Sequence, residues 1–345
     1  MARSNKSRHL TFIPDTLEHM THRFTRANVA ALAVSALLIA VLLLGWRFER
    51  DLSSAAARAA QGSVLIATRC GTIEYQEAGT GMPLLVAHGG GGGHDQGMAF
   101  ARPLTQMGIR VIAMSRFGYL RTPLPADASP AAQADAHACL LDALGIRQAA
   151  ILGGSAGAPS MMQMAIRHPE RVSALVLAVP LAYKPTTVAD SVAPLSPLVD
   201  KMLTQFIASD FVFWLGLQVA RGQVIHYVLG TPPDEVAHAS PQERARVNAI
   251  LDNIMPLSAR AKGMNNDKAT SMNLASYPLQ VIRTPTLVFS ARNDGFGTYA
   301  NAQYSAEQIV GAKFIGFEDG GHALVGHVDE VMAEIAKLIN ASTEP

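Results

Sequence analysis

The sequence predicts an α/β fold: a mostly parallel sheet with helices on both faces, a helical insertion, and one apolar helix ahead of it. Three observations carry this. Short runs that are apolar on both faces alternate with helical stretches, the pattern of parallel strands covered on two sides. The rhythm stops between Pro180 and Leu279, where no strand pattern occurs, and resumes at Thr284. Finally, Val29 to Trp46 is 18 residues long without a charge.

That apolar run, as a helix, is about 27 Å long and matches a bilayer's hydrocarbon core. Trp46 sits at one end, with Arg26 on one flank and Arg47 and Arg50 on the other, as at a membrane interface. The reading is a 1–28 tail, a 29–46 membrane anchor and a 47–61 alanine-rich spacer. A cleaved signal peptide is the alternative, since Ala55, Ala57 and Ala60 supply small residues downstream. Against it stand the 28-residue leader before the run and the distance to those alanines. Basic residues nearly balance across the run, with a lean towards a cytoplasmic N-terminus and the globular part outside the cytoplasm.

After the spacer, Ser63 to Ala78 reads as two short strands broken at Cys70-Gly71, and Pro83 to Ala87 as a buried strand. This strand runs into His88, five glycines (Gly89 to Gly93), His94 and Asp95. Further strands are expected at Arg110–Ser115, Ala149–Leu152, Val172–Val179, Thr284–Ser290 and Ala312–Phe317. Helices are expected at Pro130–Leu144, Tyr299–Ile309 and Val328–Asn340. Residues 62–180 and 280–345 would form the core. Residues 181–279 would form a helical cap, with helices at Leu195–Gln218 and Pro241–Asn253. Its aromatic patch (Phe211, Phe213, Trp214) would glue cap to core, line an apolar pocket or meet a bilayer.

The chain's 345 residues are 49% hydrophobic and 16% charged, with formal net charge +1. Such a chain has a core to bury and no field for a nucleic-acid partner. Cys70 and Cys139 lack metal-ligand or redox spacing; two buried free thiols are the favoured reading, with a lone disulfide between them left open. No phosphate-binding loop, cofactor motif or metal-ligand cluster is present, so neither cofactor nor metal is expected.

The chemistry centres on Gly153-Gly154-Ser155-Ala156-Gly157, a G-x-S-x-G turn between strand and helix. A serine hydroxyl needs a base to take its proton and a third group to orient that base. For a serine on such a turn the chain order is serine, acid, histidine. Ser155, Asp294 and His322 fit it, each at the carboxyl end of an expected strand. His327 falls in the last helix, His168 looks structural, and Asp319 shares a loop with His322. An oxyanion hole would draw one N–H from Ala156 and a second from the His88-Gly89-Gly90 turn, with Gly90 the candidate.

In these pieces the chain resembles the α/β-hydrolase fold family from roughly Gly62 to the C-terminus. AHGGGGGHDQG, SRFGYLRTP, GGSAG, ARNDGFG and GGH stand in that family's order. The resemblance implies a serine hydrolase of the esterase, lactonase or C–C-bond hydrolase branches, with the same Ser155, Asp294, His322, Gly90 and Ala156 in their roles. A serine at the elbow argues against the aspartate-using branches. GGSAG is also similar to proline iminopeptidases, but no cap carboxylate can be assigned to hold a substrate amine. The expected activity is cleavage of an uncharged, apolar ester or lactone by a membrane-anchored enzyme. The rivals are C–C hydrolysis or cofactor-free lyase or perhydrolase chemistry on the same triad, and a non-catalytic binding protein.

Overall fold

The computed structural model describes residues 26–185 and 209–342, with residues 196, 198, 199, 201 and 202 between them. The chain divides into two units, Met1–Arg50 and Asp51–Pro345. In the first, the described residues belong to the helix Arg26–Ala60 (α1), which continues past the unit boundary. Over Asn28–Ala60 it is long and apolar enough to cross a membrane, with mean hydropathy 2.6 in its most apolar window and none of that window buried. A signal sequence meets the same description. The expected spacer is therefore helical as far as Ala60.

The second unit is built on an eight-stranded sheet: Val64–Thr68 (β1), Gly71–Ala78 (β2), Met82–Ala87 (β3), Ile109–Met114 (β4), Ala149–Gly154 (β5), Val172–Ala178 (β6), Thr286–Ala291 (β7) and Lys313–Phe317 (β8). The spatial order is β1-β2-β4-β3-β5-β6-β7-β8. β1–β2 and β2–β4 pair antiparallel, and every later pair is parallel. Alternate residues serve opposite faces. Leu85, Ile112, Ile151, Leu177 and Val288 meet the helices Pro130–Ala143 (α3) and Ala158–Arg167 (α4) and Ala302 of Thr298–Gln308 (α10). Leu84, Val111, Leu152, Val176 and Phe289 meet Met98 of His94–Ala101 (α2) and Ile335 of Val328–Ala341 (α11). Both faces are covered, which is why each strand reads as a solid apolar run.

Between β6 and β7 the described residues carry helices and no strand: Asp210–Val219 (α5), Arg221–Leu229 (α6), Pro233–His238 (α7), Pro241–Asp252 (α8) and Ala261–Met272 (α9). The helix expected over Leu195–Gln218 falls partly outside the described residues; within them, residues 198, 199, 201 and 202 are helical, 196 and 209 are not, and a helix spans Asp210–Val219. Of its aromatics, Phe213 and Trp214 are buried and Phe211 lies partly exposed against Trp214. Trp214 Nε1 donates to Asp51 Oδ2 at 3.1 Å.

Two details correct or extend the sequence reading. Cys70 and Cys139 are not free thiols: they form a disulfide across a separation of 69 residues. Spacing along the chain carries no signal for this, because the pair meets only when α3 packs beside the β1–β2 hairpin. Secondly, α3 supports α4 through a buried polar relay. His137 Nε2 bonds Ser160 Oγ at 3.0 Å, and that hydroxyl donates to Gly157 O at 3.0 Å. Burial, followed by the charges of Arg116 and His168, pushes His137 down to about 3.

Closing a 69-residue loop in the unfolded chain is worth about 4 kcal/mol on a chain-entropy model. Replacing both cysteines by serine should lower the unfolding free energy from urea titration by a matching amount, and reductant should bring the wild type to the same value. A buried neutral histidine that charges freely once unfolded gives stability that is fully present above about pH 6.5. That stability drains as pH falls towards 3, at up to about 1.4 kcal/mol per pH unit. Urea titrations at pH 7.5 and 5.5 should show this slope flattened in His137→Gln; equal slopes would refute the assignment.

Candidate active site

The turn Ser155–Gly157 joins β5 to α4, and Ser155 has φ +48°. A side chain there is strained, and strain of this kind persists where the surroundings impose it. The surroundings are tight: a Cβ on Gly157 would lie 2.4 Å from Ala87 O and 2.6 Å from His88 O. One on Gly153 would lie 2.7 Å from the Ala158 α-carbon. Both glycines of the pattern are thus required by contact with backbone. Ser155 O in turn accepts from Leu181 N at 3.0 Å, which pins the chain leaving β6 against the elbow.

Asp294 follows β7 and is fully buried. Its Oδ1 accepts from Phe296 N at 2.8 Å, and its Oδ2 accepts from the Thr298 hydroxyl and from His322 Nδ1, the latter at 2.7 Å. A donor at Nδ1 leaves Nε2 as the free base nitrogen. The Phe296 ring stands edge-on to His322, centroids 4.8 Å apart. Ser155 and His322 line one cavity of about 760 Å³ with Gly89, Gly90 and Ala156. The structure brings Asp294 and His322 into contact, whereas Ser155 and His322 face the cavity without a hydrogen bond between them. Such contacts commonly tighten only with substrate bound. The other candidates have their own partners: His327 Nε2 meets Asp319 at 2.8 Å, and His168 Nε2 meets Asp135 at 2.8 Å.

In the glycine run, Gly89 N donates to Gln96 Oε1 at 2.9 Å, Gly91 N to Tyr119 OH at 3.4 Å and Gly92 N to Gly89 O at 3.3 Å. Among the described residues the Gly90 N–H has no such partner. Ala156 lies in the first turn after β5, where N–H groups lack intrahelical acceptors. His88 is a structural member of this loop. Its Nε2 accepts from Arg116 N at 3.0 Å and its Nδ1 donates to Gly89 O at 2.7 Å. Burial, then the Arg116 charge, holds it well below the usual histidine value.

The insertion supplies the cavity's other wall through Tyr227, Leu229, Ile250, Ile254, Leu257 and Met264. It also brings one carboxylate to the cavity and another to the loops beside it. Asp267 lines the cavity but is engaged by Arg116 (2.7 Å to each oxygen) and by Tyr119 OH at 2.5 Å. Glu235 accepts from Asn293 Nδ2 and, at 2.8 Å, from Gly320 N, while Asn293 Oδ1 accepts from Gly321 N at 2.9 Å. It thereby ties the acid loop to the histidine loop. Sequence reasoning missed Asp267, Glu235 and Arg260, which sit in helical stretches without local motifs. Arg116 lay inside SRFGYLRTP, where nothing but a role was missing. Among the described residues no cluster of histidine, cysteine and carboxylate side chains could hold a metal.

The comparisons bear on the fold and the family. An uncharacterised hydrolase, YcgS of Bacillus subtilis (strain 168), is 26% identical over 266 residues, 74% of this chain and 89% of that protein. A 2-hydroxymuconate semialdehyde hydrolase from Pseudomonas putida is 40% identical over 104 residues, 29% of this chain and 37% of its own length. An alpha/beta hydrolase fold protein from Nakamurella multipartita superposes with TM-score 0.64 at 27% identity, over 81% of this chain and 99% of that one. The sequence model of the alpha/beta hydrolase fold matches residues 82–326, from the strand before the glycine run to the loop beyond His322. Strand order, elbow and matched span lead to one conclusion: this chain belongs to the alpha/beta hydrolase fold family.

Proposed function

We propose that the protein is a serine hydrolase that cleaves an uncharged ester or lactone through an acyl-enzyme, held at a membrane by its N-terminal helix. The observation that carries the chemistry is the Asp294–His322 contact at 2.7 Å on a fully buried carboxylate, at a cavity shared with Ser155 on its strained turn.

Ser155 Oγ attacks the carbonyl carbon while His322 Nε2 takes its proton. Asp294 Oδ2 holds the Nδ1–H and so fixes the ring and steadies its positive charge. The carbonyl oxygen becomes an oxyanion facing the N–H groups of Gly90 and Ala156. It collapses as the C–O bond breaks and His322 returns the proton to the leaving alkoxide. Water then enters, gives a proton to His322 and hydrolyses the acyl-serine, and Ser155 regains its proton from the imidazolium. The largely aliphatic insertion wall suits an apolar substrate. Of the charged lining groups, Asp267 is paired as above, Arg246 is paired with Glu243, and Lys268 is exposed.

The apolar window of the N-terminal helix, with Arg47 and Arg50 after it, supports the anchor. The Cys70–Cys139 disulfide fits a catalytic unit outside the cytoplasm, where disulfides persist. A second reading, C–C-bond hydrolysis on the same triad, is favoured by the 40% identity to the 2-hydroxymuconate semialdehyde hydrolase.

Fluorophosphonate labelling of separated membrane and soluble fractions should mark the wild type in the membrane fraction and leave Ser155→Ala unmarked. Turnover of p-nitrophenyl butyrate should fall by at least about 10³ in that variant. Equal rates in both proteins would refute the hydrolase reading, and label confined to the soluble fraction would refute the anchor. Faster cleavage of a vinylogous diketone than of any ester would select C–C hydrolysis.

A further inference from the structure

The glycine run is held from behind, by its carbonyl groups. Arg116 Nε donates to His88 O at 2.8 Å and its Nη2 to Gly89 O at 3.3 Å. Arg260 Nη1 donates to Gly92 O at 2.6 Å. In a planar trans peptide the C=O of one residue and the N–H of the next point in opposite directions. Gly89 O, held by Arg116 and by His88 Nδ1, therefore fixes where the Gly90 N–H points.

Both guanidinium groups are buried, Arg116 at 5% exposure and Arg260 at 0%, and each needs a counter-charge. The counter-charges cross over. Arg116, from the loop after β4, pairs with Asp267 of the insertion helix α9. Arg260, at the N-terminal end of that same helix, pairs with Asp95 of the core helix α2, Nη2 to Oδ2 at 2.7 Å. Backbone bonds close the same seam: Leu120 N donates to Ala259 O at 2.8 Å and Gly263 N to Gly118 O at 3.0 Å. Gly263 has no room for a side chain there, since a Cβ would lie 2.1 Å from the Tyr119 ring.

Building on the assignment of Gly90 as an oxyanion donor, we propose that Arg116 and Arg260 are positioning residues for the oxyanion loop. Their crossed ion pairs with Asp267 and Asp95 make the loop's geometry depend on how the insertion is seated. The insertion then does more than shape the substrate cavity: its docking sets the direction of the N–H that receives the developing charge.

The test compares wild type, Arg260→Gln and Arg260→Lys, with Arg171→Gln as a control. Arg171 is paired with Asp142 away from the cavity. Fluorophosphonate titration counts active sites, p-nitrophenyl butyrate gives kcat per counted site and KM, and a trifluoromethyl ketone reports affinity for an oxyanion-bearing adduct. Arg260→Gln should lower kcat per site about ten- to a hundredfold with KM within threefold. It should weaken the trifluoromethyl ketone by the same factor, and Arg260→Lys should recover part of both. Arg171→Gln should lower thermal stability with kcat per site unchanged. If Arg260→Gln loses only stability or the fraction of countable sites, the positioning role is overturned. Should that variant not fold, Asp95→Asn, which keeps the acceptor oxygen and removes the charge, carries the same comparison. Wild-type protein that takes no label would instead overturn the hydrolase reading on which the proposal rests.

Discussion

The site depends first on how closely the elbow approaches the end of β3. Gly157 sits against the carbonyls of Ala87 and His88 with no space for a methyl group. One contact therefore fixes both the strand that launches the glycine run and the turn that presents Ser155. The oxyanion donors assigned to Gly90 and Ala156 come from these two segments, so their spacing is set by backbone packing. Side-chain adjustment could not hold it as firmly. The buried relay from His137 through Ser160 to Gly157 O stiffens the same junction from the far side.

The insertion completes what the sheet begins. On one side, Gly230 O accepts from Gly295 N and His322 N, and Glu235 bridges Asn293 and Gly320. The acid and histidine loops are thus held by a segment remote from both in sequence. On the other side, α9 and the residue before it hold the glycine run through Arg116 and Arg260. Every loop that carries a candidate catalytic group is braced by the insertion, the elbow through the bond from Leu181 N to Ser155 O. Deleting the insertion would then cost positional order at the site as well as a cavity wall.

The sheet was legible because burial on both faces writes strands as solid apolar runs, and strand ends placed Ser155, Asp294 and His322 in one layer. Gly90 was legible as part of a glycine turn after a buried strand. What sequence could not disclose were pairings made only by tertiary approach. Cys70 and Cys139 lie 69 residues apart, and Arg116 and Asp267 lie 151 apart. Arg260 precedes α9 and Asp267 lies within it, on a mixed surface with no periodic signal to mark either as an ion-pair partner. The chemistry of each side chain was readable, whereas its partner was not.

Crossed, buried ion pairs are a poor way to gain stability, since desolvating four charges offsets most of their attraction. An aliphatic seam of the same size would hold the insertion at least as well. What an aliphatic seam lacks is direction. A guanidinium fork accepts a carboxylate in few orientations and still has N–H groups left for a carbonyl. Arg116 uses its fork on Asp267 and the rest on His88 O and Gly89 O; Arg260 does the same with Asp95 and Gly92 O. Five consecutive glycines would otherwise sample many backbone conformations. The charge pairs are therefore best understood as the constraint that such a loop needs in order to present one N–H in one direction.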